Sequence, residues 1–392
     1  MAAFFENFKT RFKWKHYITY FIIALFTLVF GIISAGGGLK LSSTILLEQI
    51  AYSVILAISL SLVVGFLGEL SLGHAAFMSL GAFLGGYCQT YVFPGLTESA
   101  PLVSIILAMI IGGLVAAVFG LVIGLPALRL KGDYLAIVTL AFGEIVKTIF
   151  VNSEVFQGAI GLSTYRYDKN SLFIIAYIVI ILTLAVLNNL IKSKHGRNIM
   201  AIRDSEIAAR AMGVNVTYYK LAVFVISAFF AGVAGAIYSN ASYTVKASTF
   251  DYNYSINILV MVVLGGMGNM NGSIIAAVLI TFLNNKLATV LTGDLATLKN
   301  MIYALILVVL VIYNNAPKLA ATREKFSRQN LVAWIKKKIA PKKAQPKEGD
   351  IVSFGADWSK VPTKIEVDAV LSTELKKDDT YIPDQPDKRR DK

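Results

Sequence analysis

Residues 196–213 read GRNIMAIRDSEIAARAMG, a charged stretch set between two long apolar runs. Arg197, Arg203, Asp204, Glu206 and Arg210 require water, whereas the flanking runs are apolar over the length of a membrane span. Lys192, Lys194 and His195 lead into the stretch and Lys220 closes it. Basic residues accumulate in the cytoplasmic loops of membrane proteins, so this loop, residues 192–220, is expected on the cytoplasmic side. A hydrophilic loop held between two spans implies an all-α fold: a polytopic membrane helix bundle.

The same residues specify local structure. Two short helices are expected, with a bend at Asp204-Ser205 and with Asp204 as cap of the second, its carboxylate accepting from free backbone N–H groups. Glu206 then falls in the first turn and Arg210 in the last, the order the helix dipole favours and the i, i+4 spacing of a weak ion pair. Gly213 stands where a left-handed residue ends a helix. Ala208, Ala209 and Ala211 leave one face smooth. Such a helix suits docking into a partner's groove; an ordinary solvated loop would look the same, and the residues alone do not choose between them.

Composition agrees with a membrane protein. Of 392 residues, 56% are hydrophobic and only 16% charged, more apolar surface than a soluble domain can hide. The net charge of +13 sits in the ends and loops, which points to membrane topology and anionic lipid rather than nucleic acid. Cys88 is the only cysteine and lies in an apolar run, and His16, His74 and His195 are scattered, so neither disulfide, metal site nor cofactor is expected.

Basic residues from Lys9 to Lys15 precede an apolar run, Tyr17–Ile33, followed by Ser34-Ala35-Gly36, a passable signal-peptidase site. The run is longer than a usual signal core and many spans follow, so it is read as a retained first helix with residues 1–16 in the cytoplasm. Further spans are expected near Thr44–Gly65, Ala75–Val92, Leu102–Gly124, Tyr134–Val151, Ser171–Ile191, Tyr219–Asn240, Tyr254–Leu264, Gly272–Leu291 and Asn300–Tyr313. About ten helices over residues 17–315 return the C-terminus to the cytoplasm. Small residues recur every fourth position at Gly112, Ala116, Gly120 and Gly124, at Gly81 and Gly85, and at Ala228, Gly232 and Ala236. They read as seams for close helix packing.

Two glycine-rich interruptions stand out. One runs from Gly65 through Gly68, Glu69, Ser71 and Gly73 to His74; the other runs from Gly265 through Gly266, Gly268 and Asn269 to Gly272. Non-helical backbone at membrane depth must be buried in protein or line a cavity, so both are candidates for the substrate path, with tight surface turns as the plainer reading. Glu144 and Lys147, three apart inside a span, read as a structural ion pair or as part of that path. Glu48 and Lys286 are expected to snorkel to the interface. Residues 316–347 are basic with an apolar face and suit a segment lying on anionic lipid, and residues 348–392 have the composition of a disordered cytoplasmic tail.

Several segments together resemble the branched-chain amino acid permease family of ABC importers. Residues 68–77, GELSLGHAAF, match its signature, and 128–145, LRLKGDYLAIVTLAFGEI, look like the hallmark of its M-type member. Residues 229–235, FFAGVAG, and 264–268, LGGMG, continue the match in the right order. Glu206, Ala208, Ala209 and Gly213 are similar to the EAA loop of ABC-importer permeases, with Ile207 inserted after the glutamate as in the branched-chain branch. The resemblance implies a plasma- or inner-membrane subunit importing leucine, isoleucine and valine. Its partners would be a second homologous permease, two ATPase subunits and an extracellular binding protein. The loop around Gly196, Arg197, Arg203, Asp204, Glu206, Ala208, Ala209, Arg210 and Gly213 would make the ATPase contact.

The residues add one independent point. No GxxxxGK[ST] loop is present to cradle a nucleotide's phosphates, so a motor driven by ATP has to be another polypeptide. A urea or short-amide importer would share these motifs. An ion-coupled carrier would work as the chain alone. No nucleophile–base or clustered acid set supports a membrane enzyme.

Overall fold

The computed structural model describes residues 18–35, 40–130, 132–167 and 172–290, with four isolated helical positions at 301, 304, 305 and 308. The helices are α1 (Ile18–Ala35), α2 (Leu41–Ser61), α3 (His74–Tyr87), α4 (Pro94–Ser99), α5 (Pro101–Ala127) and α6 (Asp133–Asn152). They continue with α7 (Leu172–Lys192), α8 (Lys194–Asp204), α9 (Glu206–Ala211), α10 (Val216–Ala241), α11 (Tyr252–Gly265) and α12 (Met270–Val290). Among the described residues six helices are long and apolar enough to cross a membrane, and Thr19–Ile33 and Tyr252–Gly265 are shorter apolar helices. Helices stand within a few residues of the expected spans as far as α12, six of them of membrane-crossing length. The tenth, Asn300–Tyr313, lies outside the described residues apart from those isolated positions, as do the expected segments 1–16, 316–347 and 348–392.

The bundle is organised around α10, which packs against α5, α3 and α2. The reason is steric. A Cβ built on Gly81 of α3 would lie 2.0 Å from the carbonyl O of Gly232 on α10, and one on Gly232 would lie 2.4 Å from the carbonyl O of Gly112 on α5. Only hydrogen fits at this three-way crossing. The predicted small-residue seams therefore meet one another, and backbone contact replaces the hydrophobic drive that lipid cannot supply. Helix α2 is enclosed, with its entire apolar window buried, whereas most of the window of α12 is not buried.

Chain direction sorts the connections to two ends. At one end lie the α2–α3, α5–α6 and α11–α12 links and the α8–α9 hairpin. At the other, Leu162–Ser163 pairs antiparallel with Thr244–Val245, and Tyr167 N donates to Asn240 O at 3.1 Å. Helix α4, begun by Pro94, and this two-residue strand pair are two elements the apolar pattern did not reveal. Glu48 corrects an expectation. It does not snorkel but is 1% exposed, held 3.8 Å from Arg166 of the α6–α7 connection. Lys286 does reach outward and lies over the ring of Phe282.

Candidate functional site

The hairpin of α8 and α9 is a folded element with its own caps. Ser193 Oγ accepts from Gly196 N at 3.3 Å and starts α8. Gly196 is required there, because a Cβ would sit 2.0 Å from the carbonyl O of Ile191 and the corner between α7 and α8 could not close. Ile199 and Ile202 turn inward and are buried, leaving Arg197 outside. Asn198 Nδ2 donates to Tyr219 OH at 2.8 Å, fastening α8 to the first turn of α10.

The bend falls at Asp204-Ser205 as expected, but the capping residue differs. Ser205, in extended conformation, accepts through Oγ from Ala208 N at 3.3 Å. Asp204 is still helical and instead accepts from Arg203 Nη2 at 3.2 Å. Of two adjacent residues able to cap, the one whose backbone has left the helix does so. Arg210 Nη2 pairs with Glu206 Oε1 at 2.8 Å, and Gly213 closes the element with φ +81°. Ala209 is buried, whereas Ala208 and Ala211 face outward. Beside them Ile207 and Met212 are 82% and 84% exposed.

The glycine-rich interruptions meet this hairpin. Helix α2 ends in a π-helical turn, Leu62–Leu67, that widens the backbone and presents the Gly65 carbonyl. Arg203 Nη1 donates to that carbonyl at 3.1 Å across 138 residues of sequence. A Cβ at Gly65 would lie 2.6 Å from Gly268 N, so the two interruptions touch each other directly under Arg203. Gly68 carries φ +81° and backs onto Arg203 Cγ. Lys220 of α10, almost fully buried, donates to Glu69 Oε1 and also to Glu206 Oε2 at 3.3 Å. One ammonium thus holds a carboxylate from the first interruption and one from α9.

The other residues marked for a substrate path disperse. Ser71 and His74 are buried; His74 Nε2 lies 2.8 Å from Ser59 Oγ. Gly73 is pressed on α6, where a Cβ would fall 2.5 Å from the carbonyl O of Thr139. Gly265 backs onto Gly272 and Ser273, and Gly266 takes φ +89° in open space. Asn269 Oδ1 accepts from Gly272 N at 3.2 Å and starts α12. The second interruption is a tight surface turn, while the first runs from the surface at Gly68 into the interior at Ser71. Glu144 lies apart from both, paired with Lys147 at 3.1 Å on a half-exposed face.

Sequence reading missed a set of uncharged polar residues on three helices. Gln49, Asn257, Asn284 and Asn285 line a cavity of about 250 Å³ between α2, α11 and α12. The signal was available in the pair Asn284-Asn285, which interrupts an apolar span with amides that lipid does not solvate.

A family model described as the branched-chain amino acid transport system / permease component matches residues 42–312. The high-affinity branched-chain amino acid transport system permease protein LivM of Salmonella typhimurium is 35% identical over 260 residues, covering 58% of this chain and 59% of its own length. LivM of Escherichia coli gives the same identity and coverage, 35%, 58% and 59%. The chain therefore spans 59% of the length of these two curated relatives. The ribose import permease protein RbsC of Escherichia coli is 27% identical over 290 residues, covering 69% of this chain and 84% of its own length. No solved structure matches.

Proposed function

The chain belongs to the branched-chain amino acid transport permease family, and from that premise we propose that it is a membrane-spanning subunit of an ATP-driven importer of leucine, isoleucine and valine. The observation that carries this reading is the braced α8–α9 hairpin. An element that receives a push has to be stiff and tied to what it moves. Its two helices are capped, Arg203 ties α8 to the inner end of α2, and Lys220 ties α9 to the α2–α3 link. Ile207 and Met212 supply the exposed apolar contact a docking helix needs.

In this reading ATP hydrolysis belongs to two partner ATPases, the chain itself catalyses no reaction, and a second homologous permease and an extracellular binding protein complete the importer. The hairpin end faces the cytoplasm of a plasma or inner membrane, in keeping with Lys192, Lys194, Arg197, Arg203 and Arg210 gathered there. A ribose-type sugar importer is the second reading, favoured by the coverage of RbsC, 84% of its length.

The test is reconstitution in liposomes with ATPases, second permease and binding protein, supplied with labelled leucine, ribose or urea. Leucine uptake is expected only with ATP and all subunits; uptake by the isolated chain under an ion gradient would overturn the proposal. Replacing Ile207 and Met212 by Asp should lower uptake by about a hundredfold, the loss of two apolar anchors, while the subunit stays folded in the membrane. Wild-type uptake in that variant would contradict the docking role.

A further inference from the structure

The cavity between α2, α11 and α12 has an unusual construction. Each helix turns one stripe at i, i+3, i+4 and i+7 toward it. On α2 the stripe holds Gln49, Tyr52 and Ser53; on α11 it holds Tyr254 and Asn257; on α12 it holds Thr281, Asn284 and Asn285. Asn285 Nδ2 donates to Gln49 Oε1 at 3.0 Å and joins two of the walls. The hydroxyl of Thr281, 8% exposed, has no hydrogen-bond partner among the described residues.

Helix α12 shows which way the cavity faces. Its neighbouring stripe, Ile275, Val278, Leu279 and Phe282, is apolar and exposed, the face suited to acyl chains. The polar stripe is rotated away from it. Amides at span depth are tolerated where they meet water or one another, not lipid. The cavity occupies the half of the bundle away from the α8–α9 hairpin, since it uses the first turns of α11 and the last turns of α12.

We propose that this cavity is a passage site for the transported solute. The proposal rests on the permease reading above and adds where the solute sits and what chemistry admits it. Among the described residues no charged side chain lines the cavity, so a solute of net charge would lose hydration without a counter-charge. A zwitterionic amino acid carries no net charge. Its ammonium and carboxylate can exchange water for the amides of Asn257 and Asn284, while its branched side chain lies on Leu56, Ile258, Met261 and Ile280. Neutral dipoles bind such a head weakly, which a conducting site requires: hold briefly, then release.

The experiment uses the complete importer in liposomes. Asn257→Leu and Asn284→Leu keep side-chain size and remove the hydrogen bonds; each should lower leucine uptake about tenfold, the effect of one lost hydrogen bond to the solute. ATPase activity stimulated by the binding protein should persist, showing an assembled complex. Wild-type uptake in both variants overturns the proposal. A second measurement covers misassembly. Asn284→Cys on a Cys88→Ala background should react with a membrane-impermeant thiol reagent added on the binding-protein side. Absence of reaction in an importer that still turns over ATP means the cavity is sealed against lipid or the second permease, and the idea falls. Failure of the unmodified importer to carry leucine, ribose or urea strikes the permease reading instead. Ribose uptake sensitive to both Leu variants upholds the passage site and overturns only its zwitterionic occupant.

Discussion

Helix α2 is held at its two ends by opposite means. At Gly65 its carbonyl accepts from Arg203, and the link that follows is fixed by Lys220 between Glu69 and Glu206. Seventeen residues earlier, about 25 Å along the helix, Glu48 faces Arg166 at 3.8 Å. There both carboxylate oxygens, and Nε and Nη2 of the guanidinium, are buried without a hydrogen bond among the described residues. Arg166 also lies 5.0 Å from the ring centroid of Tyr243. The hairpin end is cross-braced through hydrogen-bonded charges, and the far end rests on a charge pair whose desolvation is incompletely offset. Under the proposed function, the cross-braced end is the one that would receive the push from a partner ATPase. The difference makes three measurements informative.

The largest effect is expected at Lys220. Lys220→Met leaves Glu69 and Glu206 facing each other, each largely buried, with their shared cation gone. Breaking such an arrangement by removing one partner costs about 3 kcal/mol. Thermal unfolding in detergent should show that loss, and in the assembled importer ATP hydrolysis should continue while uptake collapses. A variant with native stability and native uptake would remove the brace from the comparison altogether.

The far end should respond differently. Glu48→Gln removes a charge from a pair that makes no hydrogen bond, and Arg166 keeps the Tyr243 ring 5.0 Å away, a cation–π contact worth about 1–2 kcal/mol, so the loss should be smaller than at Lys220. Adding Arg166→Gln should restore most of it, because two neutral amides avoid the desolvation both charges suffer. The coupling energy follows from unfolding of the two single variants and the double variant. A double variant worse than both singles would mean that the far end is as firmly joined as the near one, and the contrast would vanish.

These two ends also mark what the sequence conveyed. Apolar length is a local property, so the span expected at Leu102–Gly124 appears as Pro101–Ala127, and the hairpin bend falls at Asp204-Ser205 as read. Glycine-rich interruptions announced where helices break but not what they touch. Gly65 and Gly268 contact each other and Arg203, a meeting of three segments far apart in the chain. Glu48 gave no hint of burial, since its partner Arg166 belongs to a connection whose path is set by tertiary contacts. The polar cavity was missed for the same reason: each stripe carries only two or three polar residues, and three helices must assemble before they form one surface.

The smallest effect tests the hairpin's own stiffness, on which the contrast between the ends depends. Asp204 and Ser205 are both residue types that cap helices, and sequence favoured Asp204. In the structure Ser205 Oγ accepts from Ala208 N, while Asp204 turns its carboxylate to Arg203 in an exposed pair. Ser205→Ala should therefore cost about 1 kcal/mol, loosening α9 and lowering uptake a few-fold by letting Ile207 and Met212 waver. Asp204→Ala removes only a surface ion pair, which contributes little, and Arg203 keeps its bond to the Gly65 carbonyl. Hydrogen exchange at Ala208 separates the two, because its amide is the one that Ser205 protects. Faster exchange in Ser205→Ala with native exchange in Asp204→Ala supports the hairpin as drawn. The reverse pattern would return the cap to Asp204 and start α9 one residue earlier, at Ser205.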